Sequence, residues 1–442
     1  MLDAAIGDRM QLTVGDGWVR GWRKITALIA AGAILMTACS SSSKTGSSAA
    51  RSAGSSSNVG SSGSSPTVTV GVLADLTGAG SVTGIRTEDG IKAGIGMAKQ
   101  DGYNIKYVMA DTTTTPAGAL AGAQKLVEQD HVFAVILISL TAFGAASYLT
   151  SHGVPVIGAN IDGPEWIKSP NMFSIFGYSD YSKVNTTYGD IFKALGGTVF
   201  GGVAYGSQPA SNDVVKAAAQ AAQLAGLKVG YMNTTIGLTD TNMAPTAIAM
   251  KNAHVDTIYP GVATATSFAL IQALENLGLH AGDGGFKVLL PAGYGGDLSG
   301  GGAGASQAAQ NAYFTTVYEP AEMQTAATER LAAALKTYAG WNGDPTEDQY
   351  FGYLSIDALV QGLKAASENA SPAQFMTAML GIHDYAAQGL AGGHTISFAF
   401  EGRGTVTGYG NCTWVVQYQG TSFHLINGLD PVCGTTLASG AS

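Results

Sequence analysis

From residue 67 onward, short runs of β-branched and aliphatic residues alternate with longer alanine-rich runs whose apolar positions recur every three or four residues. Continuous apolar strands separated by helical periods point to a parallel sheet covered by helices, that is, to an α/β fold. The pattern predicts a strand over 68–73, a glycine-rich turn, a helix over 84–99 and a second strand over 105–110 that ends at Asp111. A helix over 116–129 follows, with Pro116 at its tolerated first turn, then a strand over 133–138, a helix over 142–151 and a strand over 155–158. The same rhythm restarts at 199–205, with a helix over 212–225 and strands over 228–232, 257–259 and 287–290. A glycine-rich loop covers 293–304, and helices dominate 323–380. The stretches 394–400, 412–419 and 423–426 look like closing antiparallel strands. Two doubly wound, three-layer lobes in series imply a cleft between them, because ligands of open α/β sheets bind beyond the carboxyl ends of the strands.

The first 66 residues follow none of this. An apolar run over 25–38, preceded by Arg20, Arg23 and Lys24, is shorter than the roughly 20 residues a membrane-spanning helix needs. It has the parts of a secretion signal, with the start of translation placed at Met10 or Val19. Residues 40–66 are almost all Ser, Gly, Ala and Asn and predict a flexible tether. Of the three cysteines, Cys39 at the end of the apolar run is the odd one, which leaves Cys412 and Cys433 as a disulfide pair in an oxidising compartment.

Composition narrows the class further. The 442 residues suffice for two or more lobes, and 46% apolar against 12% charged residues is globular. A net charge of −9 without a basic run offers a nucleic acid nothing to bind. Seven scattered histidines form no metal-ligand set, and no Gly-x-Ser-x-Gly elbow exposes a serine, so neither a metal nor a catalytic centre is expected. Gly78, Gly80 and Gly84 with Asp111 approximate a dinucleotide fingerprint, but the third glycine is displaced by one residue, and a tight turn before a helix accounts for them.

The segment Met36-Thr37-Ala38-Cys39 resembles a bacterial lipobox, with Met in place of the usual Leu, and implies that Cys39 is acylated. The body resembles the type I periplasmic binding proteins of the branched-chain amino acid class, the receptors of ABC importers. The likeness is carried by Val70-Gly71-Val72-Leu73-Ala74-Asp75-Leu76-Thr77-Gly78, by Asp111-Thr112-Thr113-Thr114-Thr115-Pro116 with the helix and strand after it, and by Val154-Pro155-Val156-Ile157-Gly158. It implies a first lobe over 67–181 and 319–395, a second over 182–318 and 396–434, a tail over 435–442, and a hinge of three crossovers near 179–183, 317–320 and 394–398. It also implies an exported, lipid-anchored monomer that uses no cofactor, performs no chemistry and hands a small solute to a membrane permease. A sensor that reports to a signalling partner is the alternative, and a dinucleotide-dependent oxidoreductase a more remote one.

For the ligand, the resemblance implies first-lobe contacts from Thr77, Gly78, Thr83, Leu140, Thr141, Ala142, Ala159 and Asn160. Across the cleft it implies Tyr205, Ala263, Thr264 and Tyr294. Where the amino acid binders place an acid for the ligand's ammonium, this chain has Tyr294, and where an aromatic covers the ligand it has Thr83. Both departures point away from a simple amino acid and toward a larger, less charged solute.

Overall fold

A computed structural model describes residues 67–438 apart from 160, 162, 301, 303, 368 and 407. Cys39, the tether and Asn160 therefore lie outside the described residues, as does the side chain of Thr83. The first lobe opens with β1 (Thr67–Ala74), the short α1 (Ser81–Gly84), α2 (Thr87–Gln100), β2 (Asn104–Asp111) and α3 (Pro116–Gln124). It continues with β3 (Ala134–Ile138), α4 (Phe143–Ser151), β4 (Val156–Gly158), α5 (Glu165–Lys168) and β5 (Met172–Ser174). All five strands are parallel, in the order β2-β1-β3-β4-β5. Every residue of β3, Ala-Val-Ile-Leu-Ile, is buried, as expected of a central strand covered on both faces.

The chain then crosses to a second sheet through α6 (Thr186–Ala194), β6 (Val199–Tyr205), α7 (Pro209–Leu224), β7 (Lys228–Ile236) and α8 (Ala244–Asn252). Next come β8 (Thr257–Gly261), α9 (Thr264–Glu275), β9 (Lys287–Leu290), α10 (Asp297–Gly300), α11 (Ala305–Ala308) and β10 (Tyr313–Thr316). The parallel order β7-β6-β8-β9-β10 repeats that of the first sheet. The expected glycine-rich loop over 293–304 is thus interrupted by one helical turn, α10, and followed at once by another, α11. β5 and β10 are strands that the apolar pattern did not predict, each too short to show a period of its own.

A second crossing returns the chain to the first lobe for α12 (Ala326–Ala334), α13 (Glu347–Ala365) and α14 (Pro372–Leu380). A capping box starts α13: Thr346 Oγ1 accepts from the Gln349 N–H at 3.2 Å, and Gln349 Oε1 accepts from the Thr346 N–H at 2.9 Å. α13 lies against α2 at a distance only glycine allows. A Cβ on Gly90 would sit 2.2 Å from the Gln349 carbonyl oxygen, and one on Gly94 2.6 Å from Ile356 Cβ.

The final crossing leads to β11 (Cys412–Gln419), β12 (Ser422–Leu425) and β13 (Val432–Cys433), antiparallel additions to the edge of the second sheet. The strand expected over 394–400 does not form. Ile396 makes one bridge to Tyr385, and Phe398 packs on Tyr385 and Phe173 of the first lobe. Arg403, 9% exposed, explains why: its guanidinium donates to the carbonyls of Trp166, Ser169, Phe398 and Ala399 at 2.9–3.1 Å and lies 4.0 Å over the Tyr178 ring. Residues 396–404 are therefore fastened to the first lobe, and the crossing falls later than the expected 394–398. Cys412 and Cys433 are paired positions of β11 and β13, joined as a disulfide with Cα atoms 4.0 Å apart. Among the described residues no helix is long and apolar enough to cross a membrane.

Candidate functional site

The carboxyl ends of both sets of parallel strands face one cavity of about 260 Å³. From the first lobe it is walled by Gly80 and Val82 after β1, Leu140 and Phe143 after β3, and Phe176 after β5. The second lobe supplies Tyr205 and Gln208 after β6, Tyr259 on β8, Ala263 and Thr264 at the start of α9, and Pro291 after β9. Tyr181 enters from the first crossover, Tyr188 from α6, and Glu347, Asp348 and Phe351 from the first turns of α13. The wall is predominantly aromatic and aliphatic, the usual make-up of a small-molecule site.

Its polar groups are mostly engaged by the protein. The Tyr205 hydroxyl accepts from the Ala263 N–H at 3.0 Å and pairs with Thr266 Oγ1 at 3.0 Å, so it is occupied within its own lobe. The rings of Tyr188 and Tyr259 pack together, with centroids 5.0 Å apart. In the first lobe the donors converge on Asp75, a carboxylate 3% exposed. It accepts from Ser139 Oγ at 2.6 Å, from the Leu140 N–H at 2.9 Å and from the Thr112 hydroxyl. Burial raises the Asp75 pKa against these hydrogen bonds, which lower it.

The acids of α13 differ. Asp348, 5% exposed, accepts from Thr87 Oγ1 at 3.1 Å. Burial pushes its pKa up to about 7, with the Thr87 hydrogen bond opposing and the charge of Asp75 adding. Glu347 is half-buried; its backbone N–H donates to Asp297 Oδ2 at 2.8 Å, while its carboxylate makes no hydrogen bond or ion pair among the described residues. Burial, then Asp297 and Asp348, hold it well above the usual carboxylate range. Asp297, 2% exposed, is raised by burial and Asp348, and its Oδ1 has no partner among the described residues. No lysine, arginine or histidine is found among the described lining residues.

A sequence profile of the family described as "Periplasmic binding protein" matches residues 67–422, most of the chain. The protein belongs to the type I periplasmic binding protein family. A comparison with curated protein sequences returned no match. Among solved structures, the periplasmic binding protein is similar to a Rhodopseudomonas palustris ABC-transporter solute-binding protein in complex with 4-hydroxybenzoate. The identity is 17%, the TM-score 0.67, and the match covers 82% of this chain and 95% of that one. A second R. palustris protein, in complex with 3,4-dihydroxybenzoic acid, is 22% identical at a TM-score of 0.65, covering 81% and 96%. A leucine-binding protein of Thermotoga maritima is 16% identical at 0.66, covering 81% and 97%. At these identities the likeness is one of fold.

Within this binding protein, Leu140, Tyr205, Ala263 and Thr264 are brought together on the cavity wall. Asn160 and the side chain of Thr83 lie outside the described residues, and the remaining expected contacts are placed elsewhere. Thr77 and Gly78 form an exposed turn beside β2, where Thr77 Oγ1 donates to Asp111 Oδ2 at 2.6 Å. Thr141 is buried against Ser139, and Ala142 and Ala159 are fully buried in the first-lobe core. Tyr294, 1% exposed, donates to Glu322 Oε2 and accepts from the Ala321 N–H, both at 2.7 Å, with its ring edge on Phe423. It fastens the second crossover and is not among the described lining residues. The fingerprint-like turn is likewise structural: Asp111 accepts from the N–H groups of Leu76, Thr77 and Thr113, which leaves it committed to the turn. Glu347, Asp348, Tyr188, Tyr259 and Gln208 were not expected at the site. The Thr346-x-x-Gln349 capping box was the available signal that a helix begins beside Glu347.

Proposed function

We propose that this chain is the extracytoplasmic receptor of an ABC importer, taking up a small, largely apolar organic solute between its lobes and passing it on unchanged. The observation that carries the reading is a cavity at the strand ends of both parallel sheets, with walls from each lobe and from the first crossover. Neither lobe alone encloses a ligand there, so a solute that touches both stabilises the closed arrangement by its differential affinity for it. Relatives by fold were solved with aromatic acids and with an amino acid, and the aromatic wall here suits a ring-bearing solute better than a simple amino acid. The export signal, an acyl group on Cys39 and the tether over 40–66 would hold a monomeric body at the outer face of the cytoplasmic membrane or in the periplasm, beside its permease. The Cys412–Cys433 bond fits that oxidising location. We assign 67–181 and 319–404 to the first lobe, 182–318 and 412–434 to the second, and 435–442 to the tail.

Native mass spectrometry of protein purified from its own host, paired with small-angle scattering, tests the reading. A retained small molecule whose removal expands the particle is expected. Absence of any retained molecule, with unchanged dimensions across a broad solute panel, would overturn it. Cys39→Ala should move the protein from the membrane fraction to the soluble one.

A further inference from the structure

The polar chemistry of the cavity is one-sided. On the first-lobe side, where the cavity walls follow β1, β3 and β5, the N–H of the lining residue Leu140 is taken by the protein's own Asp75, on which Ser139 Oγ and the Thr112 hydroxyl behind the wall also converge. A carboxylate ligand would have to compete with that internal carboxylate for the same donors. It would also meet Glu347 and Asp348 on the wall, with Asp297 behind them, and no basic side chain among the described lining residues. A buried anion without a counterion is strongly disfavoured, and like charges make it worse.

A cation meets the opposite situation. Glu347 projects from the first turn of a nineteen-residue helix, lines the cavity and has no ion-pair partner among the described residues. The aromatic side chains Phe143, Phe176, Tyr181, Tyr188, Tyr259 and Phe351 share the same space, and aromatic faces attract cations in proportion to their desolvation. A second observation points to a ligand at this place: Gln208 Nε2, on the cavity wall, is buried and has no acceptor among the described residues. A buried donor of this kind calls for an acceptor on the bound molecule.

Resting on the solute-receptor reading above, we propose that the cavity selects an amine: a ring-sized apolar body with a protonated nitrogen countered by Glu347 and Asp348, no carboxylate, and an acceptor atom within reach of Gln208. Such a molecule supplies the charge the acids lack and leaves the Asp75 network intact. It also differs from the aromatic acids found in the relatives by fold.

Titration calorimetry at pH 7.5 with matched probes tests this: 2-phenylethylamine, 2-phenylethanol and 3-phenylpropionate, then cyclohexylmethylamine against cyclohexylacetate. Each amine should bind at least ten-fold more tightly than its neutral or anionic counterpart. Glu347→Gln should cancel most of that preference, read as the amine-to-alcohol affinity ratio, and Asp348→Asn should reduce it in part. The inference is overturned if the carboxylates bind as well as the amines, if Glu347→Gln leaves the amine-to-alcohol ratio unchanged, or if no amine of the panel binds. A retained anionic solute in the native mass spectrum would also overturn it while leaving the receptor reading intact. Failure of the receptor reading shows itself separately, as the absence of any retained solute.

Discussion

Replacing Asp348 by Asn tests whether the α13 carboxyl group resists ionisation in the protein without a ligand. Asn is isosteric and keeps an oxygen for the Thr87 hydroxyl, so the change removes the titration and little else. The Asp348 pKa stands at about 7 against 3.8 for an exposed Asp. Between those values the folded protein holds a proton that the unfolded chain has released, so this group makes stability fall as pH rises through the window. Each pH unit is worth about 1.4 kcal/mol, and a gap of about three units gives a loss of order 4 kcal/mol that is complete above pH 7. Asp75, Asp297 and Glu347 shift in the same direction, so the comparison must be a difference between variants. Urea unfolding followed by tryptophan fluorescence at pH 4.5, 5.5, 6.5 and 7.5 supplies it. The advantage of the Asp348→Asn variant over the unaltered protein should grow steadily across the series, to roughly 3–4 kcal/mol at the upper end. A difference that stays flat within about 1 kcal/mol would show that Asp348 ionises freely in the folded state, and the account of a dry, uncompensated acid beside the cavity would fall.

Three further outcomes follow from the packing. Arg403→Lys should destabilise by about 3–5 kcal/mol, because an ammonium cannot reach four carbonyls in a plane and stack on Tyr178 as well; the urea midpoint reads this, together with faster proteolysis across 396–411. Gly90→Ala places a methyl group 2.2 Å from the Gln349 carbonyl oxygen, an overpacking cost of about 1–3 kcal/mol or more, and should weaken solute binding too, since α13 carries the acids. Cys412→Ala with Cys433→Ala opens a loop with a sequence separation of 21 and should cost about 3 kcal/mol in the chain-entropy account; a matching loss on adding reductant to the unaltered protein, but not to the double variant, checks the bond.

Much of this architecture is legible in the chain itself, because buried parallel strands announce themselves as unbroken apolar runs. β6 and β9 have the bounds the pattern predicts, and β3 is off by one residue at its start. The strands that escape notice, β5 and β10, are three and four residues long, too short to show a period of their own. For the site, the chain positions of Tyr205, Ala263 and Thr264 suffice, because Tyr205 ends β6 and the other two lie just past the end of β8. Tyr294 follows β9 in the same way, yet its side chain turns to the crossover, a choice made by Glu322 and Phe423 and invisible in local spacing. Glu347 and Asp348 reach the cavity only because the chain returns to the first lobe after β10 and α13 seats itself on α2. Their role depends on burial and on a wall whose described residues include no lysine, arginine or histidine, which are properties of the assembled site.

The glycines where two crossovers meet have a mechanical consequence. A Cβ on Gly177 would lie 2.9 Å from the carbonyl oxygen of Gly408, and both residues adopt positive φ, +99° and +60°. The outgoing and final struts therefore run in contact, main chain to main chain, like two leaves on one pin. The Arg403 clamp and the Tyr409 hydroxyl, which donates to the Ile175 carbonyl, hold the third strut to the first lobe; Asn411, which accepts from Thr187 Oγ1 and Asn185 Nδ2, holds it to the second, and Gly410 lies between. Swivelling is thus concentrated at a narrow joint, which favours a clam-like rotation about one axis over sliding of the lobes. A methyl group at Gly177 would pry the pin apart and change how far the jaws open without touching the cavity wall.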